Sequence, residues 1–369
     1  MHIALDCSSA ARPQATGVAM YIRRLVEALG EAAPPESGHK FTLMHRLSRF
    51  KDRKHFVEVS AKNFRRKIML EPLHPVFGRA VNVFHGLDAR LPGRWMKAPL
   101  VVTIHDIFSA LQSKEFASAD FREMKSERYA DLVKRADRII CVSEACKRDV
   151  LEVLKPDPAK LRVVYEAGGA QFNPRPTSEI QTARKKFGLE RPYLIYVGSI
   201  NKRKNVPAMV RAFIKARERA KSDAVFALSG RVGYGGDEMS ALLRDPSISS
   251  HVKMLGYVPD EDVPALYSGA WGLLFVTQYE GFGIPVVEAS ACGCPILGGS
   301  KGSVPEILNG AGLLADPDNE DEMSVQIEKL LSSDSLRASL REKGLARAPF
   351  FSWKKAAEQT LDIYKEVAR

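Results

Sequence analysis

The chain lacks the marks of several protein classes. No apolar run approaches the roughly 18 residues of a membrane-spanning helix. Its start, Met1-His-Ile-Ala-Leu-Asp6-Cys7, has no basic stretch leading into a long apolar one, so no secretory leader is expected. Cysteine is scarce, with five in 369 residues. An odd number in a large chain argues against a disulfide framework and for a reducing, cytoplasmic setting. Cys292-Gly293-Cys294 is too tight, and too far from other Cys or His, for a zinc site. Glycine (26) and proline (21) are near average, which removes collagen-like and low-complexity readings. P-loop, HExxH and GxSxG motifs are absent. The 45% apolar and 27% charged residues are those of a folded chain, and the length suits two domains.

Positive charge is in excess, and it is uneven. Of the net +11, +9 falls in residues 1–170 and +2 in the remainder. Nine cations crowd Arg46–Lys67 (Arg46, Arg49, Lys51, Arg53, Lys54, Lys62, Arg65, Arg66, Lys67), against only Asp52 and Glu58, with Phe50, Phe56 and Phe64 interleaved. Such a segment suits an anionic membrane surface or a phosphate-bearing acceptor; a solvated surface loop is the other reading. No recognition motif accompanies the charge, so nucleic acid is not an expected partner.

Short apolar strands alternate with amphipathic helices along the whole chain. Strands are expected at His2–Cys7, Phe41–Met44, Val81–His85, Leu100–His105, Arg138–Val142 and Leu161–Tyr165, with helices at Val18–Leu29, Ala119–Lys134 and Glu144–Leu154. The polar, proline-bearing stretch Gln171–Arg191 leads into a second series that starts at strand Tyr193–Val197. The alternation predicts two doubly wound parallel sheets, with a domain over 1–170 and another over 171–352. An amphipathic helix over 353–369 is expected to pack back on the first. Ligands of such sheets sit at the carboxyl ends of the strands, here in the cleft between the domains.

Four segments at strand ends carry chemistry. Tyr279-Glu280-Gly281-Phe282-Gly283-Ile284-Pro285-Val286-Val287-Glu288 follows a buried strand and opens a helix. Its glycines permit a tight loop, and the exposed N–H groups and positive helix end favour an anion or sugar oxygens. Glu280 and Glu288 are acceptors for vicinal hydroxyls, or simply two acids on a strand–helix turn. Val197-Gly198-Ser199-Ile200-Asn201-Lys202-Arg203-Lys204-Asn205 places three cations after the first strand of the second domain, where they can hold a diphosphate or form a solvated charge run. His105 of Thr103-Ile104-His105-Asp106 ends a strand of the first domain. Thr16-Gly17-Val18 opens a helix there and allows backbone approach to phosphate.

Together these segments resemble the retaining glycosyltransferases of family 4 over nearly the whole chain. The block from Glu280 to Glu288 is similar to the family's E-x7-E motif, and Val197–Asn205 to its donor-phosphate segment. The resemblance implies an α/β chain of GT-B fold, two facing Rossmann-like doubly wound parallel sheets with a central cleft. It implies that Arg203, Lys204 and Gly17 serve the donor diphosphate and Glu288 the ribose. Glu280, Gly281, Phe282, Gly283 and His105 would contact the donor sugar, with the base near Tyr257 and Val258. Glu280, His105 and Lys204 are the catalytic candidates. No DxD-like acidic pair stands in these segments, so the cations are expected to replace a metal, and no cofactor beyond the nucleotide-sugar co-substrate is implied.

The expected reaction is sugar transfer with retention to a glycan or lipid-linked acceptor in surface-polysaccharide or lipopolysaccharide assembly. Mannose from GDP-mannose is the donor expected, with UDP- or dTDP-sugars as alternatives. The enzyme would be cytoplasmic or peripheral on the inner membrane face. A non-catalytic membrane or nucleotide-sugar-binding protein is the reading from another class. Two departures stand out. Ser199 occupies a position where some members carry Arg, and Gln278 one where an aliphatic residue is more usual.

Overall fold

A computed structural model describes residues 1–11, 17–69, 81–94, 96–108, 119–233 and 237–368, without the side chains of 119–125. They form two units, Met1–Glu166 with Ser352–Arg369, and Ala167–Phe351. Thr16 lies outside the described residues, as does the end of the glycine-rich stretch 230–236.

The first unit is built on seven parallel strands: β1 (His2–Asp6), β2 (Lys40–Arg46), β3 (Phe64–Met69), β4 (Val83–Gly86), β5 (Leu100–Ile104), β6 (Arg138–Cys141) and β7 (Leu161–Val163). Their order is β3-β2-β1-β4-β5-β6-β7, which reverses direction between β1 and β4. Strands β4 and β5 are buried at every position, as strands covered on both faces must be. Helix α1 (Gly17–Ala32) lays Tyr21, Ile22, Leu25, Val26 and Leu29 on the sheet. Helix α2 (Ala119–Arg135) follows β5.

A helix from far along the chain, Trp353–Val367, completes this core with Ala357, Leu361 and Tyr364. Burial holds the Tyr364 phenol well above its usual range, so it keeps its proton and donates to His85 Nδ1 at 2.6 Å. Burial likewise pushes His85 down to about 3, which keeps that imidazole neutral. Its Nε2–H therefore donates to Thr103 Oγ1 at 2.9 Å.

The basic segment divides differently from its sequence reading. Only Phe50 of its three aromatics is exposed. Phe56 is buried against the His45 ring (3.9 Å between centroids), and Phe64, on edge strand β3, stacks on Phe41 at 4.4 Å. The end of the short 3-10 stretch Leu47–His55 turns Phe56 inward, and the strand pleat leaves Phe64 half-buried against the core. The cations of β3 stay outward and guard a sheet edge.

The second unit has six parallel strands: β8 (Tyr193–Val197), β9 (Val225–Ser229), β10 (Val252–Gly256), β11 (Gly272–Phe275), β12 (Ile296–Gly299) and β13 (Leu313–Ala315). Their order is β10-β9-β8-β11-β12-β13, with the reversal between β8 and β11. Helix α3 (Val206–Arg219) follows β8, α4 (Ile284–Ala291) follows β11, and α5 (Glu320–Ser332) packs on α3. Among the described residues no helix is long and apolar enough to cross a membrane.

Candidate functional site

In open parallel sheets the crevice lies outside the carboxyl ends of the strands, where the order reverses. In the second unit that point lies between the loops after β8 and β11, and both conspicuous motifs sit on them. Asn201 caps the turn Lys202–Lys204 by accepting the Lys204 N–H on its side chain at 3.2 Å. Asn205 takes a left-handed conformation (φ 58°), which ends the turn and starts α3. Its amide donates to the carbonyls of Val276 (3.3 Å) and Pro317 (2.8 Å), tying the β8 loop to the segments that follow β11 and β13.

These ties bring three predicted residues together. Lys204 Nζ donates to Glu280 Oε1 at 2.6 Å, Arg203 lies 3.6 Å from Glu280 Oε2, and Arg203 also donates to the Tyr279 carbonyl at 3.1 Å. Lys204 stands 5.4 Å from the centre of the Phe275 ring, a cation–π distance. Burial alone would push the Glu280 carboxyl up. The charges of Lys204 and Arg203 override it and hold the group below the ordinary carboxylate range. Two cations around one carboxylate leave a positive excess at the strand ends.

The loop Glu280–Gly283 is held from behind. Ser303 Oγ donates to the Phe282 carbonyl (2.6 Å) and the Glu280 carbonyl (3.1 Å). Gly302, at φ 65°, passes so close that a Cβ there would lie 2.7 Å from the Glu280 carbonyl oxygen. Gly283 (φ 100°) caps α4, and Pro285 follows in its first turn. Glu288 lies half-buried on α4, with Gly168 packed against its stem. At the end of β10, Gly256 at φ 66° presents an exposed Tyr257 ring with the Arg231 guanidinium 5.8 Å from its centre; Val258 is buried.

His105 and Gly17 belong to the first unit. Gly17 is the exposed first residue of α1, and among the described residues nothing lies within 4 Å of where its Cβ would be. His105 directly follows β5, and both its ring nitrogens are engaged. Nδ1 meets Glu166 Oε1 at 2.9 Å and Nε2 meets the Leu87 carbonyl at 2.9 Å. Both partners accept, so both nitrogens donate and the ring is an imidazolium. Burial pushes its pKa down, but the Glu166 hydrogen bond and charge, Asp88 and the Leu87 carbonyl together raise it above the ordinary value.

Linkage fixes the sign of the consequence. The pair stabilises the fold fully below the unfolded-state pKa of about 6.5. That contribution is lost as pH rises through the elevated native value. Thermal midpoints should therefore fall more steeply in the parent than in His105→Gln as pH rises from about 6.5 through the elevated native value. Equal slopes would mean that the ring is not charged in the fold.

Glu166 and Ser303 carry no motif and are invisible in the sequence; Asn205 closes the motif Val197–Asn205, but its tie to the neighbouring loops does not show there. Gln278 was visible only as an unusual residue. Its N–H donates to the Arg203 carbonyl at 3.0 Å and its side chain to Asp318 at 2.8 Å. Asp318 and Asp316 both pair with Lys301.

Comparison with known proteins shows the family of the chain. The model of glycosyl transferases group 1 matches residues 178–347, and that of glycosyltransferase family 4 matches 15–167. The O-antigen chain mannosyltransferase B of Escherichia coli is 31% identical over 284 residues, 77% of this chain and 74% of the relative. Among solved structures, HepE of Anabaena, in complex with UDP, superposes with a TM-score of 0.76 at 15% identity, covering 99% of each chain. WaaG, a glycosyltransferase involved in lipopolysaccharide biosynthesis, gives 0.74 at 15%, again over 99% of each. At that identity the structural likeness speaks for the GT-B fold.

Proposed function

Since the chain belongs to the glycosyltransferases of group 1 and family 4, we propose that it moves a sugar from a nucleoside diphosphate to a hydroxyl of a glycan or lipid-linked acceptor, with retention and without a metal ion. The observation that carries this reading is the convergence of Lys204 and Arg203 on Glu280 at the strand-order reversal of the second unit. Breaking the glycosyl–phosphate bond puts negative charge on the departing diphosphate and oxocarbenium character on the sugar. Fixed cations and the N–H groups of the Gly281–Gly283 loop stabilise that charge without reorganising. In this scheme the diphosphate takes Lys204 and Arg203, and Glu280, released from them, accepts from sugar hydroxyls. Glu288 accepts from the ribose, and Tyr257 offers its ring face to the base. Gly17 lets the first unit's backbone approach the phosphates, and His105 lends positive charge near the sugar.

Mannose from GDP-mannose is the donor we favour, because a relative at 31% identity is an O-antigen mannosyltransferase. Surface-polysaccharide assembly at the inner face of the cytoplasmic membrane is the matching setting. Exposed Leu47 and Phe50, with exposed Lys51, Arg53 and Lys54 around them, give the first unit a surface suited to anionic lipid.

A nucleotide panel tests the proposal: GDP, UDP, dTDP and ADP by thermal shift and calorimetry, each with and without EDTA. Selective stabilisation by GDP, unchanged by EDTA, is expected. Preference for another nucleotide would replace the donor, sensitivity to EDTA would overturn metal independence, and no binding at all would overturn the transferase reading.

A further inference from the structure

The first unit has its own strand-order reversal, between β1 and β4, and a second polar cluster stands at it. β4 runs into the turn Leu87-Asp88-Ala89-Arg90. The turn is wound so tightly that a Cβ on Gly86 would lie 1.7 Å from the Arg90 carbonyl oxygen. Ala89 takes φ 38°, a left-handed conformation that residues with a Cβ adopt only when the surroundings impose it. Arg128, from α2, imposes it in part. Its Nε donates to the Ala89 carbonyl at 2.7 Å and its Nη2 to the Asp88 carbonyl at 2.8 Å.

One edge of the Arg128 guanidinium is thereby committed to the turn. The other edge, carrying Nη1, makes no hydrogen bond among the described residues. Among the described residues Arg90 Nε is buried without a hydrogen-bond partner, 3.8 Å from Asp88 Oδ2. The Asp88 carboxylate already accepts from Ser9 Oγ at 2.5 Å. Arg46, on β2, pairs with Asp6 at 3.2 Å. Three guanidiniums thus gather around two carboxylates. Burial first, then the charge of Arg90, with a smaller push from Arg46, holds Arg128 below its ordinary pKa, and Asp88 offsets only part of this. Among the described residues the cluster holds more positive than negative charge, which favours an anion.

We propose that Arg90 and Arg128 form an oxyanion-binding subsite on this turn, taking a phosphate-class group borne by the acceptor. A guanidinium held by one edge is preorganised to meet a tetrahedral oxyanion with the other, which a lysine could not reproduce. The subsite adjoins His105, whose Nε2 donates to Leu87 one residue before Asp88. The donor cations belong to the second unit. Anion binding here stands on the first unit alone; assigning the anion to the acceptor rests on the transferase reading. A phosphate ester of the acceptor and free phosphate share this chemistry, and the test separates them.

The probe is inorganic phosphate, titrated by 31P NMR into the full chain carrying Arg203→Ala and Lys204→Ala, which removes the proposed donor cations. Saturable binding should remain. It should weaken about tenfold on adding Arg90→Gln, the loss expected of a charge-assisted hydrogen bond. It should not change on adding Arg94→Gln, since that guanidinium is 83% exposed. No saturable binding, or equal binding with and without Arg90, overturns the subsite. The second arm uses the chain with both donor cations intact and the same glycan with and without a phosphate ester. Arg90→Gln should lower the ratio of kcat/KM, esterified over neutral, about tenfold. Loss of phosphate binding with an unchanged ratio overturns the acceptor assignment and leaves a free-phosphate site. Turnover with any acceptor by the unsubstituted chain tests the transferase reading separately.

Discussion

A Lys204→Ala chain should keep its fold and lose about a hundred- to a thousandfold in turnover, the scale of removing one preorganised donor from a developing oxyanion. The residue sits on a short turn beyond β8, its side chain packed between Glu280 and the Phe275 ring, so its loss should lower the thermal midpoint without unfolding the sheet. Its ammonium is the nearer of the two cations on Glu280, at 2.6 Å against 3.6 Å for Arg203. Without it a buried carboxylate keeps only the more distant guanidinium, and its pKa must rise. Nucleotide affinity should fall along with turnover, because the missing charge faces both the ground state and the transition state. Near-ultraviolet circular dichroism and the thermal midpoint report the fold, calorimetry the affinity, and steady-state kinetics the turnover. An unchanged kcat/KM in a folded variant removes Lys204 from the mechanism.

Glu280→Gln should instead separate two quantities that Lys204→Ala moves together. In the ligand-free arrangement the carboxylate occupies the cations that a diphosphate needs. A neutral amide of the same shape no longer competes for them, so the nucleoside diphosphate should bind as well or more tightly. Sugar transfer should still fall about a hundredfold, because the acceptor for the sugar hydroxyls has gone. A parallel loss of nucleotide binding and turnover would overturn this reading of Glu280. The pH behaviour follows from the depressed pKa. The ion pair contributes stability above the unfolded carboxyl value of about 4.3. That contribution is lost as pH falls through the lower native value. Between pH 5 and 9 Glu280 itself should therefore add no inflection to the rate profile.

Continuous apolar runs made most strands legible. Tyr193–Val197 is read to the residue, because both faces of a central parallel strand must be apolar. β3 was hidden for the opposite reason: at the sheet edge Arg65, Arg66 and Lys67 are tolerated, and the segment reads as a charged loop. The helix Thr177–Lys186 was missed inside the polar stretch Gln171–Arg191. Only Ala183 of it is buried, too little to leave an apolar stripe.

The site shows the same division. Glu280, Lys204 and His105 each stand beside a strand end, where sequence alone marks ligand-facing positions. Their partners are set by strand order, which no local pattern encodes. Lys204 meets Glu280 across 76 residues, His105 meets Glu166 across 61, and Arg128 clamps Ala89 across 39. Gln278 illustrates the limit. Its oddity was visible, but its bond to Asp318 was not.

The core shared by α1 and the helix Trp353–Val367 also sets an order of events during synthesis. The ribosome delivers Tyr21, Leu25 and Leu29 early, and the Leu361 and Tyr364 that cover them more than three hundred residues later. The second unit, continuous from Ala167 to Phe351, has all its strands before that helix emerges. The first unit must wait with an uncovered apolar face and with His85 lacking the phenol that satisfies its Nδ1. Translation that stops shortly before residue 353 would therefore release a chain whose later half can fold while its earlier half remains a client for chaperones.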